Sequence, residues 1–278
     1  MEQDSLAVCP STSLLITGVP RSGTTLATAI VDGLEDTLAL SEPQSHVDLL
    51  DACRSPAELV DRLALDLSRT RARVLQGGEV IDRRLPSGEP LTDYFVRTDQ
   101  GAANVRRDVS VRRPGLSTAF LLATKHNALY TSVLPEVLRD GRFSILALVR
   151  NPIHSILSWQ SLQIPVSRGR LPAGEVHWPE LRSITCSALT VLEKQAAVIE
   201  LFLRRYLEAG PAIRLVRYED VVAGECSIAT MLGRSTVRPV RIRKPSALQT
   251  KYAESIEAVL EVLQRMAPSV TKLYPELA

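Results

Sequence analysis

The chain is organised around residues 14–26. An apolar run, Leu14-Leu15-Ile16-Thr17, ends at Gly18. The loop Val19-Pro20-Arg21-Ser22 leads to a second glycine, Gly23, and Thr24-Thr25 then open an apolar periodic segment from Leu26 to Leu34. This order reads as strand, loop and helix. The glycines remove side chains where the backbone must curl. The loop amides and the helix N-terminus converge on one spot, which favours an anion. The spacing is that of G-x-x-x-x-G-K-[ST], except that Thr24 stands where the phosphate-binding lysine would be, and the only cation in the loop is Arg21. A nucleoside triphosphatase without that lysine loses its hold on the outer phosphates, so the loop points to a different phosphorylated ligand.

Strands and helices alternate around this unit. Asp36 to Leu40 forms a short apolar strand that runs into Ser41-Glu42-Pro43. Phe120 to Thr124 is a buried strand, followed at once by Lys125-His126-Asn127 and a helix from Ala128 to Leu138. Ser144 to Val149 is apolar throughout, as strands covered on both faces are. It ends in Arg150-Asn151-Pro152, where Asn151 caps a helix, Pro152 suits its first turn and Ser158 falls two turns in. Amphipathic helices are expected over Pro56 to Val74, Leu181 to Leu207 and Lys251 to Met266, and a further strand over Ile213 to Val216, leading into Tyr218-Glu219-Asp220. The pattern predicts an α/β protein, a three-layer P-loop-type fold with a mainly parallel central sheet flanked by helices.

In such sheets ligands bind outside the carboxyl ends of the strands, so Arg21, Glu42 and Lys125 are expected to face one cleft, and Arg150 offers a forked donor for a phosphate. Glu42, Lys125 and Arg150 each also have a plainer reading: a solvated loop acid, an exposed lysine, and a capping Asn-Pro with an incidental arginine.

Two stretches break the alternation. Residues 76–114 are punctuated by Gly77-Gly78, Pro86-Ser87-Gly88 and Pro90, and within them Val80 to Leu85 and Leu91 to Val96 are expected to pair as a hairpin. This stretch reads as an insertion and a candidate substrate lid. Residues 163–180, rich in Pro, Gly and Arg, read as a mobile loop at the mouth of the cleft. The whole of 1–278 is read as one domain.

Composition narrows the partners. The formal net charge of +2 over 278 residues is too mild to argue for nucleic acid. No apolar run reaches the length needed to cross a bilayer, and the acidic, uncored N-terminus is not a signal peptide, so a cytoplasmic protein with no membrane partner is expected. Cys9, Cys53, Cys186 and Cys226 are scattered and read as free thiols, and His46, His154 and His177 show no metal-ligand spacing. The sequence gives no oligomeric state.

Two motifs and two single positions together resemble one family. Val19-Pro20-Arg21-Ser22-Gly23-Thr24-Thr25 resembles the 5′-phosphosulfate loop of sulfotransferases that use 3′-phosphoadenosine 5′-phosphosulfate (PAPS). Arg150-Asn151-Pro152 with Ser158 resembles that family's 3′-phosphate motif. Glu42 lies where tyrosylprotein sulfotransferases and related bacterial enzymes carry a glutamate base, and Lys125 where they carry a catalytic lysine. Cytosolic sulfotransferases instead have a catalytic histidine near that lysine, which makes His126 a rival base; alternation along an extended segment sends the side chains of Lys125 and His126 to opposite sides. The classical glycine-rich R-K-G-x-x-G-x-W loop is replaced here by Arg243-Lys244-Pro245 and a later Lys251, and Leu26 stands where cytosolic enzymes put tryptophan against adenine. Both departures favour the bacterial and tyrosylprotein-like branch.

The resemblance implies transfer of a sulfuryl group from PAPS, without a metal, to a hydroxyl or amine of a small metabolite, glycan precursor or natural product. Glu42 or His126 would act as base, with Arg21 and Lys125 stabilising charge. Arg21, Ser22, Gly23, Thr24, Thr25, Arg150, Ser158 and Lys251 would contact PAPS and its product, adenosine 3′,5′-bisphosphate (PAP). The alternatives are a P-loop kinase-like phosphotransferase, which would want the missing lysine and a magnesium-binding aspartate, and a non-catalytic PAP- or PAPS-binding protein, against which the presence of Glu42 and Lys125 argues.

Overall fold

The structure is a computed structural model that describes residues 12–98, 101–242 and 253–278. Its first unit is the expected one: β1 (Ser13–Gly18), a tight loop over 19–23, α1 (Thr24–Asp32) and β2 (Thr37–Ser41). Then come α2 (Gln44–Ala52) and α3 (Pro56–Leu75), and four short strands, β3 (Val80–Arg84), β4 (Phe95–Thr98), β5 (Gly101–Asn104) and β6 (Arg107–Val111). The chain returns to the sheet with β7 (Leu121–Lys125), α4 (Asn127–Ser132), α5 (Leu134–Asp140), β8 (Ser144–Val149) and α6 (Pro152–Gln160). It continues through α7 (Pro172–Glu175), α8 (Pro179–Thr185), α9 (Val191–Ala209), β9 (Arg214–Arg217) and α10 (Tyr218–Ala223), and a helix over Ala253–Met266 lies near the C-terminus.

Five strands form one parallel sheet in the order β2-β7-β1-β8-β9, so this is an α/β fold with a parallel sheet flanked by helices. Period-two alternation divides its side chains between two cores. Leu15, Leu122, Ile145 and Ala147 join the larger one, with α3 and α9. Leu14, Ile16, Leu146 and Leu148 join the smaller one, against Ala27 and Val31 of α1. Burial on both faces is why these strands are apolar runs rather than alternating ones. The register pairs Ile16 and Ser41 each with Lys125, and Gly18 with Leu148, so the strands end side by side along one edge.

Three expectations are corrected. The 80–85 segment does not pair with 91–96. Instead β3 pairs antiparallel with β6, and β4 pairs with β5 inside that ribbon, giving two nested ribbons; β3 meets Pro90 only through a single bridge at Arg84. Sequence proximity favoured the shorter closure, but the outer pairing buries Val80, Asp82 and Arg84 against the domain. The helix expected over 128–138 is two, because Pro135 has no N–H to give Thr131. Arg205 satisfies the freed end, donating to the Thr131 and Ser132 carbonyls at 2.9 and 2.8 Å. The helix expected over 181–207 also divides, at Thr190, which starts α9 with a reciprocal cap to Glu193. The 163–180 stretch reaches the cleft with Gln163, Ile164 and Pro165 and contains short helical turns, with Val166, Leu171 and Trp178 buried.

Candidate active site

Carboxyl ends of parallel strands set the site. The loop after β1 is held from several sides. Trp159 Nε1 donates to the Pro20 carbonyl at 2.8 Å, and Ser22 Oγ donates to the Leu148 carbonyl at 2.9 Å. Gly23 has φ +88°, and a Cβ there would lie 2.3 Å from the Tyr218 ring, so both conformation and contact demand glycine. Arg21 occupies the left-handed region without being glycine, at φ 68°, and Glu42 does the same at φ 52°. Such backbone costs about 1–3 kcal/mol per residue and clusters at functional sites. Ser22 departs from expectation. Its amide is spent on the Val19 carbonyl and its hydroxyl on the sheet, so the tight turn leaves it no donor for a ligand. The amides of Gly23, Thr24 and Thr25 open α1 and have no helical carbonyl to bond.

Glu42 and Lys125 meet across the adjacent ends of β2 and β7. Lys125 Nζ donates to Glu42 Oε1 at 2.6 Å, and Arg83, at the end of β3, donates to Oε2 at 2.5 Å. Arg106 stands 3.6 Å from the same carboxylate. Burial alone would raise the Glu42 pKa, but the Lys125 ammonium, aided by His126 and Arg83, overrides it and holds it at about 2. The same pairing keeps Lys125 charged although it is 2% exposed: burial disfavours the ammonium, and the Glu42 carboxylate outweighs burial. Lys125 also donates to Tyr94 Oη at 3.2 Å.

His126 is turned to another task. Its Nδ1 accepts from the Leu129 amide at 3.2 Å and caps α4. Burial, together with the neighbouring Lys125 charge, holds its pKa down at about 4. With Nδ1 accepting, the neutral ring carries its proton on Nε2 and has no free lone pair for a substrate proton. The geometry therefore places Glu42, rather than His126, among the groups that face the cleft.

On the other side of the loop, Asn151 caps α6 as expected, accepting from the Ile153 amide at 3.0 Å, and its own amide is bound by Glu219 at 2.9 Å. Glu219 of the Tyr218-Glu219-Asp220 cluster thus acts in structure. Arg150 lies 4.8 Å from the Tyr218 ring centroid, and its Nε is buried with no partner among the described residues. Ser158 Oγ accepts from Arg21 Nε at 3.2 Å. Arg21 makes a second, two-pronged contact that sequence reasoning missed, to the Asp93 carboxylate at 2.7 and 2.8 Å.

These groups line a cleft of about 1670 Å³ that contains Arg21, Thr24, Thr25, Glu42, Lys125, Arg150 and Ser158 on the sheet side and residues 84–85, 87–96 and 104–106 opposite. Beyond α1 it extends to Val237 and Arg241. Lys251 lies outside the described residues. Arg83, Asp93, Tyr94 and Arg106 were not singled out from the sequence; only the designation of 76–114 as a lid pointed to them. Among the described residues no group of His, Cys, Asp and Glu is arranged to hold a metal ion, and no helix is long and apolar enough to cross a membrane.

The lysine-free loop after β1, with Arg21 at positive φ, thus lines the same cleft as the Glu42–Lys125 pair. No curated protein sequence matches the chain. Among solved structures, the crystal structure of a sulfotransferase from Alicyclobacillus acidocaldarius aligns over 93% of this chain and 95% of its own, at 13% identity and a TM-score of 0.38. Residues 11–224 match the sulfotransferase domain, which is most of the sequence, and the chain belongs to that family of transferases.

Proposed function

We propose that the protein transfers the sulfuryl group of PAPS to a hydroxyl or amine of a small acceptor. The observation that carries this reading is the Glu42–Lys125 contact beside a loop whose one cation is Arg21. A second feature supports the donor: Arg150 Nε, without a partner among the described residues, suits a 3′-phosphate, to which Ser158 adds a hydroxyl. The amides of Gly23, Thr24 and Thr25 would hold the 5′-phosphate, and the α1 end of the cleft toward Val237 would take the purine. On this reading the protein is closest to the bacterial and tyrosylprotein-like branch, works in the cytoplasm, and uses 76–114 as its lid.

The chemistry is an in-line displacement with little covalent work for the protein. The acceptor oxygen or nitrogen gives its proton to Glu42 as its bond to sulfur forms. The bond between sulfur and the bridging oxygen breaks, and the electron pair leaves on the 5′-phosphate of PAP. Lys125 and Arg21 neutralise that developing charge. In the free protein Lys125 keeps Glu42 a poor base. As negative charge builds on the leaving oxygen it competes with Glu42 for the fixed Lys125 ammonium, and Glu42 regains proton affinity at the moment it is needed.

The test is a PAPS-consumption screen across acceptor classes, with mass spectrometry of the product. A sulfated product supports the reading, and PAPS left intact across all classes contradicts it. Turnover should also survive excess EDTA, since the loop lacks the lysine of magnesium-nucleotide enzymes. Loss with EDTA and recovery with magnesium would point to phosphoryl transfer instead.

A further inference from the structure

We propose that Tyr94, from the inserted ribbon, is a positioning residue for Lys125; this rests on the transfer reading above. An ammonium has three N–H groups. One goes to Glu42 at 2.6 Å and one to Tyr94 Oη at 3.2 Å, and Nζ lies 4.4 Å from the Tyr94 ring centroid. The Tyr94 hydroxyl proton is committed to Ser41 Oγ at 3.0 Å, so Lys125 meets a lone pair. Ser41 is itself fixed, its amide donating to Asp82 at 2.6 Å. Tyr94 is 7% exposed, so the ring that holds the ammonium is packed in place. One N–H of Lys125 is left for a ligand. When Glu42 accepts the substrate proton its hold on Lys125 weakens, while that of Tyr94 does not, and the ammonium stays aimed at the leaving oxygen.

Tyr94→Phe keeps the ring and removes the hydrogen bond, so kcat should fall about tenfold, the size of one bond to a charged group. Tyr94→Leu removes the ring as well and should fall further, with PAP affinity within about twofold of wild type in both. Wild-type kcat in Tyr94→Phe, or PAP affinity falling in step with kcat, would overturn the assignment. The Lys125 ammonium resonance in 15N-lysine-labelled, donor-free protein gives a readout that needs no turnover. It should be visible in wild type and exchange-broadened in Tyr94→Phe. If wild type consumes no PAPS, the donor reading fails by itself, and an unchanged resonance then overturns the role of Tyr94.

A different contact carries a second inference: Asp93 is an internal competitor for the donor's anionic group. Arg21 is the only cation of the anion loop, and both its terminal nitrogens are taken by the Asp93 carboxylate. Asp93 also accepts from the Phe95 amide at 3.0 Å, so its displacement would release the strap that begins β4. A ligand phosphate at Arg21 must either share one guanidinium with a carboxylate or expel it. Titration of PAP and of inorganic pyrophosphate into wild type, Asp93→Asn, Arg21→Ala and the double variant tests this. Asp93→Asn should bind PAP about five- to tenfold more tightly, a difference near 1 kcal/mol, and the gain should vanish in the Arg21→Ala background. Equal or weaker binding by Asp93→Asn, or a gain that persists without Arg21, would overturn it. If nothing binds PAP, the donor reading falls, and the pyrophosphate arm alone decides for or against Asp93 by the same pattern.

Discussion

The sheet edge and the inserted ribbons build the two walls of one cleft by different means. On the sheet side, Lys125 ends β7 and Glu42 and Arg150 follow β2 and β8, and parallel register brings their backbones together whatever the side chains are. On the ribbon side, Arg83, Asp93, Tyr94 and Arg106 are held by ion pairs and ring contacts to the very groups they serve. Asp32, buried in α1, fastens this wall: Arg84 and Arg113 from the ribbon segment both reach it, at 3.3 and 2.7 Å, and Arg238 donates to its carbonyl. The wall fixed by backbone is suited to carrying the chemistry. The wall fixed by charge is suited to tuning it, and to moving when charge arrives.

That division predicts unequal losses. Glu42→Gln keeps size but cannot accept a proton, and kcat should drop by about 10²-fold or more with PAP affinity nearly unchanged. His126→Asn keeps a capping side chain on α4 and should turn over close to wild type. A near-normal Glu42→Gln with an inactive His126→Asn would move the base to the histidine. Arg83→Ala takes one of the cations off Glu42 and should raise that carboxyl's pKa above about 2, while kcat falls by less than about tenfold. A loss from Arg83→Ala equal to that from Glu42→Gln would erase the distinction between the walls. Steady-state kinetics on the three variants, with PAP titration, measures all of this.

The sequence made the first wall legible and left the second dark for a physical reason. A strand end followed by Glu42, Lys125 or Arg150 can be placed by hydrophobic pattern and topology alone. The helices that divide at Pro135 and Thr190 were also within reach, since a helix-interior proline and a Thr-x-x-Glu box are local signals. Arg83 and Asp93 carry no such signal. They reach the site through pairings, β3 with β6 and β4 with β5, whose partners are chosen by tertiary burial rather than by turn chemistry. The turn residues at 86–90 argued for a closer hairpin, and the buried Asp82–Arg84 side of β3 decided against it.

A smaller effect sharpens the comparison through pH. Burial raises Asp82, on the ribbon, to about 6. The folded state then binds its proton more tightly than the unfolded chain, so this contribution is full below about pH 4 and is lost as pH rises through 6. His126, on the sheet side, is depressed to about 4. Its contribution is full above about pH 6.5 and is lost as pH falls toward 4. The two slopes oppose each other over the same window. Asp82→Asn should therefore make stability climb with pH between 4 and 6 more steeply than in wild type, and His126→Asn should make it fall. Each difference is at most about 3 kcal/mol across the window. Denaturant melts at several pH values read it, and parallel curves for all three proteins would refute both assignments.

The most direct measurement of the central claim, that this cleft takes a donor with a 3′-phosphate, is calorimetric titration with PAP and with adenosine 5′-phosphate. PAP should bind much more tightly, with Arg150→Ala losing about tenfold or more of that affinity, as one charge-assisted contact contributes, and leaving adenosine 5′-phosphate almost untouched. Equal affinity for the two nucleotides, unaltered by Arg150→Ala, would contradict it.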